Sequence, residues 1–123
     1  MWLALTTEAN AALAEALARR LLDAGLVACV SLQPLQSLYI WDGQLEGAQE
    51  VQLLLKTDGL RLAALQTAVH RWHSYATPEW LTWRAQASAG YGTWLAGVLS
   101  AERPAEPRSV SGSLSPDAGP PGP

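Results

Sequence analysis

An α+β fold is predicted by three features of the chain. Two amphipathic helical stretches each follow an extended apolar run. Two long strand-like segments between them are joined by an Asp-Gly turn, and a further extended segment and a short helical one close the order β-α-β-β-α-β-α. Two right-handed βαβ crossovers joined by a hairpin give the ferredoxin-like split βαβ arrangement, with a long central hairpin, a C-terminal helix and both main helices on one face of a four-stranded sheet.

Residues 2–6 form the first apolar run, ending at Thr6-Thr7, where Thr7 suits a helix N-cap. From Glu8 to Ala24, Leu13, Leu17 and Leu21 recur at i, i+4, i+8 and predict an amphipathic helix that Gly25 terminates. Leu26–Leu32 is too short and too rich in Val and Leu for a helix and reads as a strand. Gln33-Pro34 breaks or bends it, and it resumes at Ser37–Trp41. Asp42-Gly43 signals a tight turn, with Gln44–Ala48 as the hairpin loop and residues 49–57 as the returning strand. After Asp58-Gly59, Leu62, Leu65, Val69 and Trp72 line one side of a helix over Leu60–Trp72. Pro78 stops any continuation, Glu79–Ala87 reads as a strand, and Tyr91–Leu99 as a final helix that groups Trp94, Leu95 and Val98.

Residues 1–100 are expected to form one domain. From Ala101 the composition shifts. Six of the chain's 8 prolines fall in 101–123, with Ser and Gly and few large apolar side chains, so this Pro/Gly/Ser-rich segment is expected to be a disordered tail.

The net charge of -3 and scattered basic residues exclude the clustered Lys and Arg that nucleic acid demands. No window has the roughly 18 to 20 consecutive apolar residues of a membrane span. The N-terminus lacks a basic n-region, so it reads as a strand and not a signal peptide. Cys29 is the single cysteine, so the fold does not rest on an internal disulfide, which fits a cytoplasmic setting. Of 6 tryptophans, Trp72, Trp80, Trp83 and Trp94 cluster late and suit core or subunit interface. Leu53 and Leu55, with Leu38 and Ile40, are expected to leave apolar sheet surface that two helices do not cover. The overhanging hairpin with Tyr39, Ile40 and Trp41 then grips a second copy.

The richest local chemistry is His73-Ser-Tyr75-Ala-Thr-Pro78-Glu79, an imidazole, a phenol and a carboxylate at an element junction, with His70 three residues upstream. Other chemistry is lacking. There is no Gly-x-Ser-x-Gly, no phosphate loop and no supported Cys-His arrangement, which argues against an enzyme.

Five blocks now stand in order: Leu26-Val-Ala-Cys29-Val-Ser, Ser37-Leu-Tyr39-Ile-Trp41-Asp-Gly43, Glu50-Val-Gln-Leu-Leu-Leu-Lys56-Thr57, the His73–Glu79 motif, and Tyr91-Gly-Thr-Trp94-Leu95. Over residues 2–99 the chain resembles the CutA proteins, or divalent-cation tolerance proteins. The resemblance implies a ferredoxin-like protomer assembled as a trimer with interlocked hairpins, similar in shape to PII signalling proteins, and a link to copper and other divalent ions. It also implies a groove between subunits where the positions of Trp41, Lys56, His73, Tyr75, Glu79 and Tyr91 gather. That groove suits a small anionic or polar ligand, with Lys56 as point charge, Trp41 as stacking face and the tyrosines as donors; the same residues also serve as interface contacts.

The family's copper site, as the resemblance implies it, has a histidine at the position of His73. A second histidine stands where this chain has Trp72, and a thiol where it has Thr6. His70, one turn back, is a substitute ligand for Cu2+ or another divalent cation, and Cys29 is either a ligand or a buried small hydrophobe. Further departures are Arg84 and Gln86, which make the fourth strand more polar, and the weakly charged hairpin loop. The expected function is that of a non-enzymatic homotrimer in the response to divalent metal ions. The alternative is an adaptor trimer whose tail or hairpins recruit a protein partner, as animal relatives are associated with acetylcholinesterase assembly.

Overall fold

Strand β1 (Trp2–Glu8) is the structural centre of the computed structural model, which describes residues 1–101. It pairs antiparallel with β3 (Gln44–Thr57) on one side and β4 (Leu81–Arg84) on the other. β2 (Cys29–Trp41) pairs antiparallel with β3, giving the order β2-β3-β1-β4. Helices α1 (Ala11–Asp23) and α2 (Leu62–Trp72) cover one face, and α3 (Ala89–Ser100) follows β4. This is the expected ferredoxin-like order. The tail reading for 101–123 lies, beyond Ala101, outside the described residues.

The ends of α1 are set by local chemistry. Thr7 is not its cap, because β1 runs two residues further than expected, with Thr7 opposite Gln52 and Glu8 opposite Val51. Asn10 takes the role, and its Oδ1 accepts the Leu13 N–H at 2.9 Å. At the other end Gly25 has φ 73°, Leu26 N–H reaches Leu21 O at 3.1 Å, and Gly25 N–H reaches Leu22 O at 3.0 Å. That pair of bonds is a Schellman closure, which needs the left-handed residue that glycine supplies. The inward stripe is Ala14, Leu17, Ala18 and Leu21, which leaves Leu13 exposed at its margin.

The hairpin departs furthest from expectation. β2 starts at Cys29, not Leu26, and continues unbroken through Pro34, which stands opposite Val51. An edge strand tolerates proline because only one of its sides carries a ladder. Gln44–Ala48, expected as loop, is paired strand, and the turn is the two residues Asp42 and Gly43, at φ 51° and 75°. Positive φ at both positions is the type I′ geometry that matches strand twist. β4 is four residues long instead of nine. Its partner β1 begins at Trp2, and Pro78 offers no N–H at the other end.

The core lies between helices and sheet: Ala4, Val51, Leu53 and Leu55 meet Leu17, Leu21, Leu65 and Val69. Leu53 and Leu55 are therefore under the helices, not on the uncovered face, because β3 alternates and its odd-numbered residues from 51 to 57 point inward. The uncovered face shows the even-numbered Leu54 with Leu3, Leu5, Leu81 and Trp83. A second cluster joins Ala28, Leu95 and Leu99 to Met1, Tyr91, Trp94 and Val98. Trp72 and Trp80 pack on the main core, whereas Trp83 is exposed.

Truncating Leu55, which is fully buried, is expected to lower unfolding free energy by about 2–5 kcal/mol. Asn10→Ala, which removes one exposed cap, is expected to cost about 1 kcal/mol. Urea unfolding of both variants measures the two values. An Asn10→Ala cost equal to that of Leu55→Ala would contradict this division between core and cap.

Candidate functional site

Where β1 ends, its alternation leaves Ala4, Thr6 and Glu8 pointing inward, so the strand delivers a carboxylate into a buried corner. Glu8 is only 1% exposed. Its Oε1 accepts the Ala9 N–H at 3.2 Å and the Ser74 hydroxyl, and its Oε2 accepts the Ser74 N–H at 3.1 Å. A buried carboxylate is tolerable only when its lone pairs are taken up in this way.

His73 caps the C-terminal end of α2 in extended conformation and turns its ring into the same corner. Its Nε2 lies 2.7 Å from Thr7 O, and its Nδ1 accepts the Tyr75 N–H at 2.9 Å. The carbonyl can only accept, so the ring proton is assigned to Nε2 and the lone pair to Nδ1. Glu8 Oε2 is 3.5 Å from Nδ1.

These bonds steer the next side chain outward. The Tyr75 phenol donates to Glu50 Oε2 at 2.8 Å, and its ring packs on His73 with centroids 5.0 Å apart. Burial, then the Glu50 carboxylate, push the Tyr75 phenol up to about 12 from an ordinary 10.0. Glu50 also lines a cavity of about 460 Å³ between the start of α1 and the base of the hairpin, together with Asn10, Pro34, Gln36 and Gln49. Nearby, the Thr7 hydroxyl donates to Glu79 Oε1 at 3.4 Å.

The other residues singled out in the sequence fall elsewhere. Lys56 Nζ donates to Ser31 Oγ at 3.3 Å, sits 3.7 Å from Cys29 Sγ and lies 5.9 Å above the Tyr91 ring. Trp41 stands at the hairpin turn, 70% exposed. Cys29 pairs with Lys56 and Trp41 with Gln44, so twelve strand steps separate Trp41 from Lys56. At ~3.3 Å per residue that is about 40 Å. The single chain therefore brings His73, Tyr75 and Glu79 together, and Lys56 with Tyr91, but leaves Trp41 far from both.

The candidate metal ligands are likewise apart. His70 is exposed, its Nδ1 2.8 Å from Gln66 O and its ring edge-on to Trp80, and Cys29 faces the Lys56 ammonium. Among the described residues no group of three or more His, Cys, Asp or Glu side chains is placed to hold a metal ion. Among them, too, no helix is long and apolar enough to cross a membrane.

Sequence reasoning missed Glu8 and Glu50. Glu8 was assigned to the helix. Continued alternation from Ala4 through Thr6 was the available signal, masked by the turn-forming Asn10 only two residues on. Glu50 has no local signal, because its role depends on a loop 25 residues away.

The sequence model of the family described as CutA1 divalent ion tolerance protein matches residues 2–98. The chain is 43% identical over 97 residues to the divalent-cation tolerance protein CutA of Pectobacterium atrosepticum, covering 77% of this chain and 88% of that one. Among solved structures, CutA of Synechococcus elongatus superposes with TM-score 0.78 at 41% identity, over 80% of this chain and 89% of its own. A protein of Archaeoglobus fulgidus named as periplasmic divalent cation tolerance protein CutA gives TM-score 0.77 at 29% identity, over 80% and 99%.

Replacing Glu50 by Gln removes the charge but keeps an acceptor and the burial, so the Tyr75 phenol is expected to titrate below about 12 while staying above 10.0. Alkaline absorbance titration reads this directly. In the unsubstituted chain the sign follows from the raised value. The contribution of Tyr75 to stability is fully present below pH 10.0 and is lost as pH rises towards about 12. No change in the phenol's titration in Glu50→Gln would remove Glu50 as its partner.

Proposed function

The chain belongs to the CutA1 family of divalent ion tolerance proteins, and from that premise we propose that it serves divalent-cation tolerance as a non-enzymatic homotrimer whose ligand groove is completed between copies. One observation carries the reading: the apolar hairpin that extends beyond its own helices. Leu38, Ile40, Trp41 and Leu45 are 70%, 68%, 70% and 72% exposed. Side chains of this kind lining one ribbon form the sort of patch that marks an interface.

The separation of Trp41 from Lys56 supports the same arrangement. A groove holding Trp41, Lys56, His73, Tyr75, Glu79 and Tyr91 needs neighbouring copies, both to bring the Lys56–Tyr91 group to the His73–Tyr75–Glu79 group and to supply the tryptophan. Its ligand would be small and polar or anionic, held by the Lys56 ammonium and by the Tyr91 hydroxyl, which is buried with no partner among the described residues. The Tyr75 hydroxyl is already given to Glu50. A non-enzymatic role is supported by the commitment of His73, whose two nitrogens both carry structural bonds. Cytoplasmic residence is the proposed setting, with Cys29 as a free thiol.

Copper is the ion the resemblance nominates, and the part assigned to this chain is that of an assembled scaffold in the response to it. Cells lacking their own relative and challenged with copper test this. The unsubstituted chain should restore growth, and Trp41→Asp, which charges the interface, should not. Equal rescue by both would reject assembly as the basis of the role.

Trp41→Ala should loosen the assembly by about 2 kcal/mol or more while leaving the protomer folded. Sedimentation velocity across a dilution series reads the change. Single folded protomers of the unsubstituted chain would instead favour the adaptor reading, with the hairpin free for another protein.

A further inference from the structure

Family membership implies a divalent cation, and the residues of this chain can be tested for fit to one. The ligand position beside His73 is Trp72, whose ring is covered by the Arg20 guanidinium at 4.1 Å. The position of the thiol is Thr6, fully buried, with an Oγ1 that has no partner among the described residues. A neutral hydroxyl is a poor donor for a soft or borderline ion, and a guanidinium repels one. These residues do not fit a copper site.

The last candidate is the pair formed by His73 Nδ1 and Glu8 Oε2, 3.5 Å apart. The Tyr75 N–H points at the first at 2.9 Å and the Ser74 N–H at the second at 3.1 Å. Two N–H dipoles thus aim their positive ends at the space a cation would take. The one lone pair of Nδ1 is already spent and one of the two on Oε2 is taken, and the two side chains are buried, His73 at 0% and Glu8 at 2% exposed. Displacing those bonds would strip the Ser74 and Tyr75 N–H groups of the partners they have.

We infer that His73 is a strut and not a metal ligand: with Glu8 and Ser74 it clamps the end of β1 to the loop that delivers Tyr75 to Glu50, and divalent cations that bind this chain bind elsewhere. The clamp joins two separate pieces of chain, residues 7–8 and residues 73–75. Nε2–H holds the Thr7 carbonyl, Nδ1 holds the Tyr75 amide, and Glu8 holds Ser74 by two bonds. This takes family membership as its premise and is independent of the number of copies.

Ring correlation spectra of the 15N-labelled full chain test it, with ZnCl2 as a diamagnetic probe. The chain has only 2 histidines, so His70→Gln assigns both rings. The expected spectrum shows His73 as the Nε2–H tautomer before and after zinc is added in excess, with any shifting ring being the exposed His70. Copper calorimetry adds a second arm. His73→Gln, whose amide offers a donor nitrogen and an acceptor oxygen, should keep the copper heat of the unsubstituted chain and lower its Tm.

A His73 ring that loses its Nε2 proton pattern at stoichiometric zinc would overturn the inference. So would a copper affinity that falls about tenfold or more in His73→Gln but not in His70→Gln. Should His73→Gln fail to fold, the zinc titration of the unsubstituted protein decides alone. Loss of the trimer in sedimentation would reject the assembly reading and leave this result standing.

Discussion

The helices are shorter than the strands they cover, and much else in the molecule follows from that mismatch. With 13 residues α1 is about 20 Å long, whereas the 14 residues of β3 reach about 46 Å. Burial along β3 tracks the difference. Val51, Leu53, Leu55 and Thr57 are inside, and from Gln44 to Gln49 no residue is buried. The hairpin therefore leaves the body of the protein near Val51 as a two-stranded ribbon. The cavity lined by Glu50 opens at that point of departure, beside the start of α1.

How much of this was legible in the sequence depended on whether the signal was local. Helix α1 was readable because leucine spacing and Gly25 act within the element. The Asp42-Gly43 turn was readable because positive φ at two adjacent positions demands those residues. The strand boundaries were not, because pairing fixes them. Thr7 and Glu8 look like a helix start until β3 is placed beside them, and Gln44–Ala48 looks like a loop until β2 is. The face taken by Leu53 and Leu55 had the same origin: in an apolar run, composition does not say which parity lies under the helices.

The candidate site divides along the same line. His73, Tyr75 and Glu79 were visible as a dense motif, and the structure places them around one corner. Glu8, the carboxylate that organises His73 and Ser74, was not visible, since it lies 66 positions from Ser74 in the chain. Chemistry that depends on a long-range partner cannot be read from spacing. A histidine with this motif around it reads as a ligand until its hydrogen-bond partners are counted.

The ribbon also bears on the proposed assembly. A two-stranded hairpin in water is marginal without a third strand or a helix to lie on. Edge strands of lone proteins are usually guarded by charges, above all lysine. From Cys29 to Leu55 this chain has no Lys or Arg at all. Its guards on β2 amount to Pro34, near the base, while the stretch from Leu35 to Trp41 keeps an open edge and exposed Leu38, Ile40 and Trp41. An unguarded edge of this length, on a ribbon its helices do not reach, is the feature that the proposed assembly would cover. Leu38 and Ile40 fall on one face of the ribbon and Tyr39 and Trp41 on the other, so cover on a single side would still leave aromatic surface in water. Cover from both sides is what that geometry would require, and the proposed closed ring of copies would supply it.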